Sequence, residues 1–336
     1  MRRSLLIWIL LLLVGCSAQV EPSPAITPEA PQVTETPLAP PTETPSPAKV
    51  VLVTDPAVDS ALSAALRSKL EALTSAAGMP LEMRATAATS ELAPDWKIVL
   101  FTAPPADLDQ WLAAAPQTQF VVITPDERVG AANLTVIRTR LDQLAFSAGY
   151  LATMLAYDFR AAALVPSDDP IGPIWVDAFT NGGRYWCGLC NPFYAPLVRF
   201  PLVSYQPRGS SLDAWLAAVD QLSLNFVYVL YVAPEISTPD LFFALASRGF
   251  ILIGSVPPQD EIRTRWAATL RNDPAAALES LWSSVISGAG GQVVDAPLAL
   301  EDVNSQYLSQ GRLDQFNRAL QEIQSGMIYF LTPPMQ

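Results

Sequence analysis

The chain contains no histidine. Without an imidazole, Ser-His hydrolysis, His general-base catalysis and His-ligated metal sites are excluded together. Carboxylate or lysine chemistry stays open. No Gly-rich phosphate loop occurs, and no carboxylate pair has a spacing suited to glycoside cleavage. The cysteines come next. Cys187-Gly188-Leu189-Cys190 is a CxxC pair. In a cytosolic βαβ protein that spacing points to redox exchange. Outside the membrane, two thiols this close form a small structural disulfide. A zinc site would need two further ligands, which here would have to be carboxylates. No metal, no cofactor and no enzymatic activity is expected. Tyr185, Trp186, Phe193 and Tyr194 surround the pair near the ends of nearby strands. Their faces could stack on a planar base or sugar, or simply pack the loop.

The third cysteine, Cys16, belongs to a different pattern. Arg2 and Arg3 precede an apolar run from Leu5 to Val14, too short to span a bilayer comfortably. The run ends in Leu13-Val14-Gly15-Cys16, which resembles the bacterial lipobox. That resemblance implies cleavage before Cys16 and acylation of its thiol; the alternative is an ordinary signal peptide with a chance cysteine. Residues 1–15 are thus expected to be a lipoprotein signal peptide. Residues 16–48 are expected to be an acylated cysteine and a tether rich in Pro, Ser, Thr and Glu. Such a composition cannot bury enough apolar surface to order itself. A Pro-rich docking ligand is the sharper alternative for this segment. The expected location is the extracytoplasmic face of the bacterial plasma membrane, with the bilayer as a partner through Cys16. The net charge of −12 and pI near 4.5 carry no basic footprint for nucleic acid.

The elements that would position a site follow from hydrophobic periodicity. A chain of 336 residues holds about two domains of roughly 100–200 residues each. Val50 to Val53, Ile98 to Phe101, Phe120 to Ile123, Leu134 to Ile137, Ala162 to Val165, Phe226 to Val232 and Phe250 to Ile253 are short apolar runs of buried-strand type. Leu81 to Ala85 and Leu197 to Tyr205 also read as extended. Helical stripes separate them. Leu62, Leu66, Leu70 and Leu73 form one, with Asp55 and Pro56 placed as its N-cap and first position and Gly78 as its stop. Leu141 to Phe159 forms the widest stripe. Further helices are expected at 108–115, 171–179 (ending near Gly182-Gly183), 212–222, 241–246, 275–286 and 313–323. Alternating strands and helices predict parallel sheets in two Rossmann-like α/β lobes joined by a hinge. The expected boundaries are 49–158 for lobe 1 and 159–262 for lobe 2. Residues 263–336 are expected to return mainly to lobe 1.

In open parallel sheets, ligands bind beyond the carboxyl ends of the strands. Those ends carry Asp55, Thr102, Thr124, Asp169, Tyr231 and Ser255, which makes them candidate ligand-binding residues. Each alone reads more readily as a helix cap or a loop-solvating side chain.

The order of elements around Gly149-Tyr150-Leu151-Ala152 resembles the basic membrane lipoprotein family, the purine-nucleoside-type substrate-binding proteins of ABC transporters. The resemblance extends loosely over residues 49–332. It implies a type I periplasmic-binding-protein fold, a solute bound between the lobes and a membrane permease as partner. The family opens its first helix with an Asp followed by Ser-Phe-Asn, whose Phe stacks on the purine. Here the stretch is Asp59-Ser60-Ala61-Leu62-Ser63, so Asp59 matches and Leu62 replaces the Phe. The family's Gly-Val-Asp, whose Asp grips the ribose, is matched by Gly254-Ser255-Val256, without the carboxylate. Its following Ser-x-x-Lys is similar to the stretch from Thr264 to Arg271, with Arg271 at the lysine. The resemblance therefore adds Asp59, Leu62 and Arg271 to the candidates while replacing the nucleoside contacts. Two functions follow: a solute-binding lipoprotein for a small polar or nucleoside-like ligand, or a surface sensor or partner-binding module with a degenerate cleft.

Overall fold

The structure, a computed structural model, describes residues 47–56, 58, 60–168 and 172–329. The expectations for the signal peptide, for Cys16 and for nearly all of the Pro-rich segment lie outside the described residues. So do Asp59 and Asp169.

Two six-stranded sheets form the frame. The first contains β1 (Lys49–Val53), β2 (Leu81–Arg84), β3 (Trp96–Phe101), β4 (Gln119–Thr124), β5 (Leu134–Arg138) and β11 (Val293–Asp295). Its order is β11-β5-β4-β3-β1-β2 and every pairing is parallel. Alternate side chains of its strands feed two separate cores, as period-2 geometry requires. On one face Val50, Leu52, Leu100, Val121 and Ile137 pack under α1 (Ser60–Ala76) and α7 (Pro274–Ile286). On the other, Val51, Val99, Phe120 and Val136 pack with Trp96 and with Trp111 of α2 (Leu108–Ala114).

The second sheet contains β6 (Ala161–Pro166), β7 (Leu202–Gln206), β8 (Val229–Val232), β9 (Ile251–Gly254), β10 (Trp266–Asn272) and β12 (Leu298–Glu301). Its order is β12-β10-β9-β8-β6-β7, with only the β10–β12 pair antiparallel. Helices α3 (Leu141–Leu155), α4 (Gly172–Cys187), α5 (Leu212–Ser223), α6 (Pro239–Ser247) and α8 (Gln310–Gln324) surround it. The fold class read from the sequence, two α/β lobes with largely parallel sheets, is the fold observed.

The lobe boundaries differ from those expected. Every residue of α3 from Gln143 to Leu155 is buried, so the helix needs partners on all sides. It finds them in α4, α8 and the second sheet, and its Leu144, Phe146, Leu151 and Met154 share that lobe's core. Helix α8 joins the same core through Phe316, Ala319, Leu320 and Ile323. Residues 141–158 therefore belong to lobe 2, not lobe 1. Among the described residues from 263 to 329, the elements that return to lobe 1 are α7 and β11. Among the described residues the chain crosses between lobes three times, at Thr139–Arg140, Asp273 and Ala296–Pro297. The crossings lie side by side: Ala296 N donates to Arg138 O at 2.8 Å, and Asp273 N donates to Pro297 O at 2.7 Å.

Two local expectations also change. Asp55 and Pro56 do not open α1, which starts at Ser60. The Asp55 amide donates instead to Thr102 Oγ1 at 2.8 Å, and a turn returns Val58 N to Asp55 O. Gly182-Gly183 does not end α4, which continues to Cys187. A Cβ on Gly182 would lie 1.9 Å from the Phe146 carbonyl oxygen, and one on Gly149 would lie 1.9 Å from that of Phe179. The glycines bring α3 and α4 into backbone contact instead of stopping a helix.

The aromatic cluster also lies elsewhere than expected. Trp186 packs edge-on against Tyr150, 5.5 Å between ring centroids. The loop after α4 and the segments leading into β6 and β8 meet at the amino ends of the lobe 2 strands, the pole opposite the cleft. Arg160 ties them together. Its guanidinium pairs with Asp158 at 3.0 Å and donates to the carbonyls of Asn225 and Tyr194. It also lies over the rings of Phe200 and Phe226. Asp158 in turn accepts from Phe193 N at 2.6 Å. Four of the five non-glycine residues with positive φ among the described residues sit here: Asp158, Phe159, Cys190 and Phe226. Left-handed backbone at such residues is uncommon and is maintained by surrounding contacts. Cys187 and Cys190 are paired as a disulfide, with Cα atoms 5.1 Å apart, inside the range a bridge requires.

Candidate functional site

The carboxyl ends of both sheets face the level at which the chain crosses between lobes. A cavity of about 180 Å³ lies there. Lobe 1 contributes Ala61 and Leu62, from the first turn of α1. Lobe 2 contributes Pro234, beyond β8, and Ser255 and Val256, beyond β9. The first crossing supplies Thr139, β10 supplies Arg271 and Asn272, and the start of α3 supplies Leu141 and Leu144. Each position follows from local structure. A strand that ends at the cleft exposes its next residue there, and a helix that begins there presents its first turns.

The lining is mainly aliphatic, and its polar groups are largely engaged within the protein. Arg271 forms a two-pronged contact with Glu301, at 2.8 and 3.0 Å, across the antiparallel β10–β12 pair. That geometry satisfies a guanidinium and a carboxylate together and neutralises both. Asn272 Oδ1 accepts from the Arg140 amide at 3.2 Å. Ser255 Oγ lies 3.2 Å from Ser237 Oγ. Among the described residues, no aromatic ring lines the cavity. It is smaller than the roughly 300–1,000 Å³ of drug-sized sites. A compact, uncharged solute with one or two hydroxyl or amide groups fits it chemically.

Charge concentrates at the mouth. A larger recess of about 390 Å³ is lined by Asp126, Glu127, Arg138, Arg140, Asp142 and Ile174 from α4. Asp295 bridges the two arginines, 2.6 Å from Arg138 and 3.1 Å from Arg140. Arg140 also meets Asp142 at 2.8 Å. The hydrogen bonds it donates to Asp142 are the main reason the Arg140 guanidinium is pushed above its ordinary pKa, so it stays cationic throughout. This chain of ion pairs joins β5, β11 and α3 at the crossings themselves.

The sequence candidates divide into groups. Leu62, Ser255 and Arg271 meet at the cavity. Asp55, Thr102 and Thr124 sit at strand ends of lobe 1, where the two threonines engage nearby backbone. Thr102 Oγ1 accepts from the Asp55 amide, and Thr124 Oγ1 accepts from the Asp126 amide at 3.1 Å. Tyr231 is fully buried, its ring stacked 5.4 Å from Trp175. Its hydroxyl and the Trp175 indole nitrogen have no hydrogen-bond partner among the described residues. Burial pushes the Tyr231 phenol well above its usual range, with Glu235 adding to the effect. The structure thus makes Tyr231 a core side chain that does not reach the cleft. Sequence reasoning missed Thr139, Leu141, Leu144, Pro234 and Asn272. Most of them flank a change from strand to helix, and that change is the signal that could have found them. Among the described residues, no cluster of three His, Cys, Asp or Glu side chains is placed to hold a metal.

No protein-family profile matches the sequence, and no curated protein does. Solved structures do match. An ABC transporter system solute-binding protein from Conexibacter woesei superposes with a TM-score of 0.64 at 17% identity, over 85% of this chain and 100% of its own. An ABC transporter system solute-binding protein from Aeropyrum pernix gives 0.61 at 14% identity, over 86% of this chain and 95% of its own. A transcriptional activator of the comK gene from Bacillus halodurans gives 0.64 at 15% identity, over 83% of this chain and 99% of its own. At such identities the likeness is one of fold. The chain has the two-lobed α/β fold of type I periplasmic binding proteins.

Proposed function

We propose that this chain is an extracytoplasmic solute-binding lipoprotein, anchored through Cys16, that holds a compact uncharged solute between its lobes and delivers it to an ABC permease. The carrying observation is the cavity at the crossings, lined from both lobes by Leu62, Ser255 and Arg271. A site shared between lobes gains contacts when they close, which couples binding to a hinge motion. The fold likeness to proteins named for solute binding supports the same reading. The aliphatic lining and the Arg271–Glu301 pair narrow the ligand to an uncharged one. The family's nucleoside grip is replaced at Leu62 and Ser255, so the proposed solute is not a standard purine nucleoside. Those same replacements favour the second reading, a sensor with a degenerate cleft.

Native mass spectrometry of protein purified from its own host tests the first reading. One small molecule should co-purify, and Leu62→Trp, which fills the cavity, should abolish its retention without lowering the melting temperature by more than a few degrees. A ligand-free wild type whose melting is unmoved by host metabolite extract would overturn the transport reading.

A further inference from the structure

The pole of lobe 2 opposite the cleft presents a feature that solute binding does not use. Tyr157, Phe193, Tyr194, Leu197, Leu224 and Phe226 are each at least 62% exposed. They come from three separate segments that the buried Asp158–Arg160 pair draws together. Exposed apolar groups scattered singly need no explanation, but a contiguous patch marks a contact surface. The positive-φ residues Phe159 and Phe226 hold backbone in this outward arrangement.

The charge around the patch identifies its partner. The protein carries a net charge of −12, yet the loop from Gly188 to Phe200 and the segment from Leu224 to Tyr228 contain no carboxylate. Asp158 is buried against Arg160. Arg199 is exposed two residues from Leu197, and Arg312 is exposed in the recess shared with Tyr157, Phe193 and Tyr194; the carboxylate of Asp220 lies one turn before Leu224, paired with Arg248. Tyrosine and phenylalanine at an apolar–polar boundary, flanked by two arginines, match a bilayer surface with anionic lipid. We infer that this pole lies on the membrane to which the chain is anchored.

The inference rests on the anchored reading above. From Cys16 to Ala48 the sequence offers about 100 Å at the roughly 3.1 Å per residue of Pro-rich chain. The folded part, some 290 residues, has a radius of gyration of only about 19 Å by the usual scaling. The anchor therefore permits lobe 2 to reach the surface, and confinement near the bilayer raises the effective concentration of a weakly binding patch.

A single thiol tests the contact. With Cys16 acylated and Cys187 bridged to Cys190, an introduced cysteine is the one free thiol. The acylated mature protein is reconstituted into vesicles with and without phosphatidylglycerol. Leu197→Cys is labelled with an environment-sensitive dye. Val129→Cys, 86% exposed on lobe 1, serves as control. On phosphatidylglycerol vesicles, the dye at 197 should shift to the blue and be quenched by iodide at least threefold less than the dye at 129. Adding Phe193→Ser and Phe226→Ser should restore quenching at 197 while flotation with the vesicles persists. Equal quenching at both positions in protein that floats overturns the patch and leaves the anchor standing. Concentration-dependent protection without vesicles overturns it in favour of a second copy of this chain. Protein that does not float at all overturns both readings.

Discussion

Substituting Gly149 by alanine should reverse the ordinary sign of a helical Gly→Ala change. In an open helix the change gains about 0.8–1.0 kcal/mol from propensity alone. Here the added methyl would lie 1.9 Å from the Phe179 carbonyl oxygen. Ordinary contact needs about 1.5 Å more. The obstacle is backbone of α4, which has no rotamer by which to escape. Overpacking typically costs about 1–3 kcal/mol, and a backbone obstacle puts this case at the upper end. The net loss is then about 2 kcal/mol. At roughly 2–4 °C per kcal/mol for chains of comparable size, that is a fall of about 4–8 °C in Tm. Gly311→Ala on α8, with nothing within 4 Å of the new methyl, is the control and should be neutral or slightly stabilising. Combining Gly149→Ala with Gly182→Ala should cost less than the sum, because the first methyl already parts the helices that the second would part. Calorimetry or circular dichroism melts of the folded part measure all four. A Gly149→Ala protein melting at or above wild type would refute the close-packing argument.

Three further outcomes are expected. Tyr231→Phe should leave stability unchanged or raise it, since it removes a buried hydroxyl without a partner, and it should leave ligand retention intact; lost retention would return Tyr231 to the site. Inosine, guanosine and adenosine should bind weakly in calorimetry. Losing the stacking ring costs about 1–3 kcal/mol and losing the charged ribose partner about 1.5–3 kcal/mol, so submicromolar binding of any of the three would contradict the placement of Leu62 and Ser255. Alkylation without reductant should label neither Cys187 nor Cys190, and an intact mass showing both labelled would disprove the bridge.

Much of the frame is legible because burial on both faces imposes a run of β-branched residues. Val50 to Val53 and Phe120 to Ile123 announce themselves this way, and Ala162 to Val165 does so by its unbroken apolar run. Strand β10, Trp266-Ala-Ala-Thr-Leu-Arg-Asn, does not, because its alanines favour helix and only its pairing with β9 and β12 makes it a strand. Strands β11 and β12 are too short for a period to show. Gly182-Gly183 carries two meanings, helix stop and helix contact, which only the neighbouring α3 can separate. The lobe boundaries failed for a related reason: periodicity shows that α3 is buried, not against which sheet. At the site, the positions matched through the resemblance, Leu62, Ser255 and Arg271, came together. Of the hydroxyls picked as strand ends alone, Thr102 accepts from the amide beyond the neighbouring strand β1 and Thr124 from its own loop.

The three crossings also set an order of events during synthesis. By the time Arg138 has been made, lobe 1 has five of its strands, but the face bearing Leu52, Leu100 and Ile137 still lacks α7. That helix begins at Pro274, after the whole interval in which most of lobe 2 is made. At about 5–20 residues per second the delay is of order 10 seconds. An apolar sheet face and the free edge of β5, later paired by β11, stay open throughout. Such a nascent chain invites aggregation in the compartment where it is made. A chain kept unfolded until Asp295 has emerged, as in passage through a membrane, would meet its missing helix and strand at once.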